Sequence, residues 1–425
     1  MTHSTPRPDA TTLSRAAAVV STVMLLLVAA CAEEPVARQA PASIPSTAPS
    51  AGEHIALTPV DFSALPGWQD DTLGEATIAL AKSCSKIADL PPSQPIGREG
   101  VGGSAGDWLG PCGALRDLNI KDSVAVRQYF ETWFRPLRAT ATGSNGLASG
   151  LFTGYYESEL NGSLVRDAKH RVPLYARPAD LVALDLGPFD ATLQGKRIWG
   201  RFDANNRLVP YWTRQEIENG ALGGNAKVIL WIDDPVDAHI LSIQGSGRVT
   251  LADGGTIRVG FDGTNGRTFV GITRILMDAG KINAHQATMP DTRAWLEAHP
   301  ADAVALMDKN PRYIFFRLIE GDGPIGAQGV ALTPLRSLAV DPSFIPLGMP
   351  IWLDTTTPDG KPLRRLMVAQ DTGAAIKGAI RADIFWGTGP RAFDQAGRMK
   401  STGAFYLLVP RQRSGQVALA GNPAN

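Results

Sequence analysis

The 425-residue chain balances 41 basic against 41 acidic side chains, so it lacks the net positive face that broad nucleic-acid binding requires. With 44% hydrophobic residues and only three cysteines, it is long enough for a packed core in roughly two to three domains without disulfide stapling. Plentiful Gly (44) and Pro (31) beside 19% charged residues exclude a coiled coil or helical bundle and favour a turn-rich β protein.

Residues 1–30 read as an export signal and not as part of the fold. Arg7 and Arg15 form a basic start, and Ala16–Ala30 is an uncharged apolar run too short for a bilayer that needs about 20 helical residues. Val28-Ala29-Ala30-Cys31 resembles a bacterial lipobox, in which the Cys becomes the lipidated first residue of the mature protein. The alternative is an ordinary signal peptide with a Cys at its cleavage site. Ala32 and Glu33, with no Asp, follow Cys31, a pattern resembling outer-membrane sorting in enteric bacteria. The expected location is the periplasmic face of the outer membrane, lipid-anchored. Residues 31–56, rich in Ala, Pro, Ser and Glu, read as a flexible tether.

An exported protein sits in an oxidising compartment, where Cys84 and Cys112 tend to pair across the loop-like segment 91–111; two unpaired buried thiols are the alternative. Neither has a His or Cys at metal-ligand spacing nearby.

Helical periodicity marks Asp71–Ile87 and Ser123–Phe134. From Leu151 short β-type runs alternate with Gly, Asn and Asp turns: Val228–Ile232, Ala238–Ile243 and Thr256–Phe261. Helical texture returns over Thr268–Ala279 and Asp291–Met307, and Tyr313–Ile319 reads as a buried strand. A last β region contains Val330–Leu332, Pro350–Leu353, Leu366–Ala369, Ala382–Phe385 and Phe405–Val409, followed by a polar tail at 414–425 expected to be disordered. Strands this short favour a closed barrel over a doubly wound sheet.

Two motifs match only on paper. Gly321–Gly326 fits GxGxxG, but Pro324 interrupts it and Gln328–Leu332 reads as extended, where a dinucleotide site needs a helix start. Gly102–Gly106 fits GxSxG, but it sits in a Gly/Pro loop without the strand and helix of a nucleophile elbow; His170, His239 or His285 would have to serve as base. The six histidines are scattered, so no metal and no cofactor is expected.

Three aspartates stand out in the last 90 residues: Asp341, Asp371 and Asp383. Asp371 closes an apolar strand before a glycine turn, and Asp383 lies twelve residues later beside Phe385 and Trp386. Two carboxylates at one mouth of a small barrel, in an aromatic setting, would have raised pKa values, so that one could act as a general acid. Flat rings also suit the C–H faces of carbohydrate. The alternative is that these residues cap turns.

With these segments the chain resembles the family of membrane-bound lytic murein transglycosylase A. The resemblance runs from about Phe152 to Pro410 through Phe152–Glu157, Tyr211–Leu222, Ile243–Arg248, Arg258–Asn265, Asn310–Phe316 and the three-aspartate region. It implies a mainly β fold with flanking helices: a double-psi β-barrel domain and an inserted, mostly β second domain. The barrel would comprise a helical part over 57–157 and the three-aspartate region at 319–413. The inserted domain would cover 158–318, with a glycan strand in the groove between them. It further implies cleavage of the β-1,4 bond from N-acetylmuramic acid to N-acetylglucosamine in peptidoglycan, leaving a 1,6-anhydro end. Asp383 would be the acid and then the base, with Asp371 beside it and Asp341 a third, more structural member. Thr153, Tyr155, Gln244 and Ser246 are expected in the groove, aromatic packing and turn formation being the alternative for them. The 57–150 region matches the family loosely, and Ala374 and Ala375 stand where a glycine-richer turn is expected.

Three competing readings remain at this stage. One is a hydrolase on the same barrel with Asp371 as base for water. Another is a non-catalytic wall-binding lipoprotein, and the third a scaffold for division or cell-wall synthesis complexes. The expected partners are peptidoglycan strands and the membrane through Cys31, not nucleic acid.

Overall fold

The structure, a computed structural model, describes residues 54–142, 148–193, 196–321 and 323–411. The export signal, Cys31, most of the tether, Asp322 and the 414–425 tail lie outside the described residues.

Strand β1 (His54–Pro59) takes up the last three residues of the expected tether by pairing with β2 (Phe134–Thr142). Between them come α1 (Leu73–Ala88), α2 (Ala105–Arg116) and α3 (Ser123–Trp133). Helix α1 buries Leu73, Ala76, Leu80, Cys84 and Ile87, the helical spacing visible in the sequence. Asp122 caps α3 by accepting from the Val124 and Ala125 amides. Helix α2 corrects the expected loop: Ser104 and Asp107 form a capping box, and the helix runs on through Pro111 to Arg116. Burial of Trp108 and Leu115 outweighs the Gly and Pro content that argued for a loop. Cys84 on α1 and Cys112 on α2 form a disulfide, Cα–Cα 5.5 Å.

Strand β3 (Gly150–Ser163) leads into β4 (Val172–Tyr175), β5 (Val182–Asp185), β6 (Arg197–Phe202), β7 (Leu208–Pro210), α4 (Arg214–Glu218) and β8 (Val228–Ile232). Then follow α5 (Pro235–Gln244), β9 (Ser246–Leu251), β10 (Thr256–Thr264), α6 (Ile272–Asp278), α7 (Met289–Ala298), α8 (Pro300–Met307) and β11 (Ile314–Ile319). The run Ala238–Ile243, expected as a strand, belongs to α5. Asp234 caps the Val236 amide and Pro235 starts the helix, and Val236, His239 and Ile240 are buried at helical spacing. The expected helix Asp291–Met307 is two, because the residue before Pro300 leaves the helical region (His299 φ −129°, ψ 59°).

The C-terminal part contains β12 (Ser337–Val340), β13 (Pro350–Thr356), β14 (Pro362–Asp371), β15 (Arg381–Thr388), α9 (Gly389–Arg398) and β16 (Lys400–Pro410). Val330–Leu332 is no strand; it makes only the bridge Ile325–Ala331.

Six strands close into a barrel in the order β3-β16-β13-β14-β12-β15 and back to β3. The β12–β14 and β15–β3 pairs are parallel and the rest antiparallel. Leu338, Ile351, Leu366, Val368, Ile384, Phe405 and Leu407 belong to its core. Strand β3 belongs to two sheets: Leu151–Glu157 pair with β15, and from Ser158 the same strand pairs with β9. The sheet of β3, β9, β10 and β11, extended through β8 and β4, is thus continuous with the barrel, and a groove opens where β3 changes partners.

Candidate active site

The groove has a volume of about 670 Å³, within the range of small-molecule sites. Asp371, Ala339 and Asp383 line it from the barrel, and Gln244, Ser246 and Arg317 from the other side.

The register fixes its floor. Ala339 on β12 is paired with Asp371 on β14 and with Asp383 on β15; Asp383 is in turn opposite Thr153 on β3. Directly opposed residues share a face, so two carboxylates flank one methyl group, roughly 10 Å apart at the backbone by two strand spacings. A larger residue than alanine between them would fill the floor.

Asp383 is half-buried and orientated by a chain of donors. Arg381 Nη2 donates to Thr153 Oγ1 (2.9 Å), and Thr153 Oγ1 donates to Asp383 Oδ1 (2.7 Å). Arg381 is itself fixed on the Leu151 and Ala382 carbonyls. Burial pushes the Asp383 pKa up, against the opposing pull of the Arg381 charge and the Thr153 hydrogen bond.

Asp371 Oδ1 accepts from the Ala327 and Thr372 amides, each at 2.9 Å. Burial nevertheless outweighs these bonds, and with the charge of Asp383 it raises the Asp371 pKa to about 6. The buried Tyr155 hydroxyl lies near Asp371 without completing a hydrogen bond. Burial first, then the two aspartate charges, push its pKa well above the usual phenol range.

Gln244 ends α5, and Gly245 turns the chain in the left-handed region (φ +82°), so that Ser246 can start β9. This turn sets both residues in the groove wall. Gln244 Oε1 accepts from the Tyr156 amide (3.1 Å), tying α5 to β3. On the opposite wall, a Cβ on Gly154 would run into Trp386, so glycine there lets the indole pack beneath the site.

Six of the expected site residues therefore converge: Asp383, Asp371, Thr153, Tyr155, Gln244 and Ser246. Asp341 does not line the groove. It is buried, with Oδ1 on the Ser343 amide and Oδ2 on the Gly378 amide (both 3.0 Å), and so anchors the turn that follows Asp371. The aromatic pair expected to meet carbohydrate is also displaced. Phe385 is 1% exposed and packs on Tyr155, whereas Phe261 and Phe269, 45% and 38% exposed, line the groove.

Sequence reasoning missed these two rings, and Arg381. The signal for Arg381 was present: two residues before Asp383 on a strand, it shares that residue's face. The serine decoy is spent, with Ser104 Oγ bonded to Asp107. Asp167 holds the His170 ring, and His239 is buried with neither ring nitrogen bonded. Among the described residues no cluster of metal ligands occurs.

Comparison with known proteins gives one answer. The family model of the MltA specific insert domain matches residues 151–317, and that of the 3D domain matches residues 336–409. The curated membrane-bound lytic murein transglycosylase A of Escherichia coli K12 is 27% identical over 361 residues, 82% of this chain and 87% of that protein. Among solved structures, the lytic transglycosylase LtgG of Burkholderia pseudomallei is 42% identical with a TM-score of 0.57, covering 87% of this chain and all (100%) of that one. MltA from Neisseria gonorrhoeae is 33% identical with a TM-score of 0.71, covering 87% and 97%.

Proposed function

The chain belongs to the membrane-bound lytic murein transglycosylase A family, and from that premise we propose how its groove performs the reaction. The protein is a peptidoglycan lytic transglycosylase. Asp383, whose burial favours the protonated form, donates to the glycosidic oxygen as the C1–O bond breaks with oxocarbenium character. Its carboxylate then takes the proton from the C6 hydroxyl of the same muramic residue. That oxygen closes on C1 as a 1,6-anhydro ring, and no water is consumed. The nucleophile is intramolecular, so a second catalytic carboxylate is not required.

The observation that carries this reading is the pairing of Asp371 and Asp383 on either side of Ala339, at the floor of a groove shared by two sheets. Asp371 steadies the developing positive charge. Its Oδ1 is committed to two backbone amides, which suits a fixed charge better than a mobile base for water. Thr153 and Arg381 are positioning residues for Asp383. Tyr155, Gln244 and Ser246, with the rings of Phe261 and Phe269, form the sugar-binding surface. The lobes divide as barrel, 57–157 with 319–413, and inserted domain, 158–318.

Mass spectrometry of the soluble products from purified peptidoglycan tests this. Wild type is expected to release fragments one water lighter than hydrolytic muropeptides, and Asp383→Asn to slow release by about 10²–10⁴. Ordinary reducing ends would instead make the enzyme a hydrolase with Asp371 as base.

The lipid anchor is proposed on Cys31 from its lipobox-like setting. No helix among the described residues is long and apolar enough to cross a membrane. Attachment to the outer membrane should be lost in Cys31→Ala, with the protein moving to the soluble periplasmic fraction; retention in the membrane fraction would refute the anchor.

A further inference from the structure

Several arginines of the inserted lobe are held by carboxylates. Buried Arg214 meets Glu218 (3.0 Å), Arg258 meets buried Glu157 (3.1 Å) and Arg293 meets Asp237 (2.6 Å). Arg312, just ahead of β11, is different. It is half-buried and lines the groove, yet its guanidinium meets no carboxylate and no other hydrogen-bond acceptor among the described residues. Burial alone lowers its pKa. A cation withdrawn from water without a partner costs free energy, which a ligand bringing negative charge recovers. The catalytic acid has its own cation in Arg381.

The backbone that carries Arg312 is firmly fixed. Buried Asn265 Nδ2 donates to the Trp212 and Pro311 carbonyls (both 2.8 Å), and its Oδ1 accepts from the Tyr313 amide (2.9 Å). Buried Asn310 Oδ1 accepts from the Val270 amide (3.1 Å), tying this segment to the chain just after Phe269. Tyr313 packs in a core with Phe315, whereas Arg312 and Ile314, on either side of it, line the groove. The two asparagines thus hold Arg312 in the wall that also presents the ring of Phe269. None of these bonds involves the guanidinium, so the cation is not what keeps the segment folded.

We propose that Arg312 binds a carboxylate carried on the O3 lactyl group of a muramic residue lying in the groove, and so selects muramic acid over N-acetylglucosamine at that position. This deepens the transglycosylase reading above and rests on it for the choice of glycan. The rings of both sugars are neutral, and negative charge enters only through the lactyl substituent. Its carboxylate is free where the strand has lost its peptide. Where a peptide is attached, the charge moves out to the carboxylates of that stem. A planar guanidinium with its N–H groups unbonded takes either by charge-assisted bonds.

The test uses the disaccharide GlcNAc-MurNAc, which contains no bond of the kind cleaved, so that binding is read apart from catalysis. Three forms are compared: the free lactyl carboxylate, the lactyl group joined to a peptide stem, and its neutral methyl amide. Full-length wild type and Arg312→Gln are titrated with each by ligand-observed NMR. Arg312→Gln should raise Kd about tenfold for one or both charged forms and leave the methyl amide unchanged. The charged form that responds identifies the source of the carboxylate, and the gap should narrow as salt is added. Equal weakening of all three forms would mean that Arg312 holds sugar hydroxyls, and overturns the proposal. No weakening of any form, or no binding of either charged form by wild type, overturns it too. Thermal unfolding of the variant should match wild type, because the side chain makes no bond within the fold. If the peptidoglycan digest shows no anhydro products while this Kd pattern holds, the transglycosylase reading fails and the carboxylate site stands.

Discussion

At the scale of single residues, the floor of the groove trades stability for reactivity. Asp371 has its pKa raised to about 6 from the ordinary carboxylate value near 4. A raised folded-state pKa means that the native protein holds the proton more tightly than the unfolded chain. The associated stability is therefore complete below about pH 4 and is lost as pH rises through about 6. At pH 8 the fold carries a buried carboxylate at a cost of about 3 kcal/mol. Asparagine keeps an oxygen for the Ala327 and Thr372 amides but removes the charge. Asp371→Asn should accordingly be more stable than wild type at pH 8 by about that amount, and nearly equal at pH 4, in urea unfolding. A difference that does not change with pH would mean that the carboxylate is not the source. The three aspartates themselves were legible in the sequence, since each closes or interrupts a strand. Their burial and partners were not, because Thr153 and Asp383 are 230 residues apart in the chain.

At the scale of elements, the N-terminal helices have a task that the sequence did not disclose. Their resemblance to the family was loose and no catalytic or sugar-binding residue was expected there, yet α1 holds β14, which bears Asp371, and β12, which lies between the two acids. Arg336, immediately before β12, is 1% exposed. It bonds both oxygens of Asp71 (2.7 and 2.8 Å), Glu75 (2.9 Å) and the Leu366 carbonyl (3.0 Å). Next to Asp371, the buried Gln370 amide donates to the Ala79 carbonyl and to Ser83 Oγ, and Ser337 Oγ donates to Gln370 Oε1. Strand β12, which carries Ala339, and its neighbour β14 are thus tied to one helix. Removing one member of a buried ion pair leaves the other uncompensated, so Arg336→Leu should destabilise by about 3–5 kcal/mol in denaturant unfolding. Adding Asp71→Leu should recover part of that loss, because no buried carboxylate is then left alone. A single variant as stable as wild type would show that the network is not holding α1. Helical periodicity revealed α1 and α3. It failed at α5, where a six-residue apolar run fits strand and helix equally and the Asp234 cap decides.

At the scale of the whole molecule, the closed barrel was legible from short strands and dense turns, but the groove was not. The groove depends on β3 changing partners between Glu157 and Ser158, from a strand more than 200 residues later to one about 90 residues later. No local pattern encodes such a switch. The Cys84–Cys112 disulfide acts at this same scale, because it staples α2 to the helix that clamps the barrel strands. Closing a loop of 28 residues restricts the unfolded chain by about 3–4 kcal/mol in the chain-entropy picture. Cys84→Ala/Cys112→Ala, or wild type in reductant, should therefore unfold at lower temperature and lower denaturant concentration by that free energy. Cleavage at 25 °C should persist, since neither sulfur lies in the groove and α1 retains its Arg336 and Gln370 contacts. If reduction abolished cleavage while the fold survived, the disulfide would be positioning β12 and β14 directly. The α1 contacts alone would then be too weak to hold Ala339 and Asp371 in place beside Asp383.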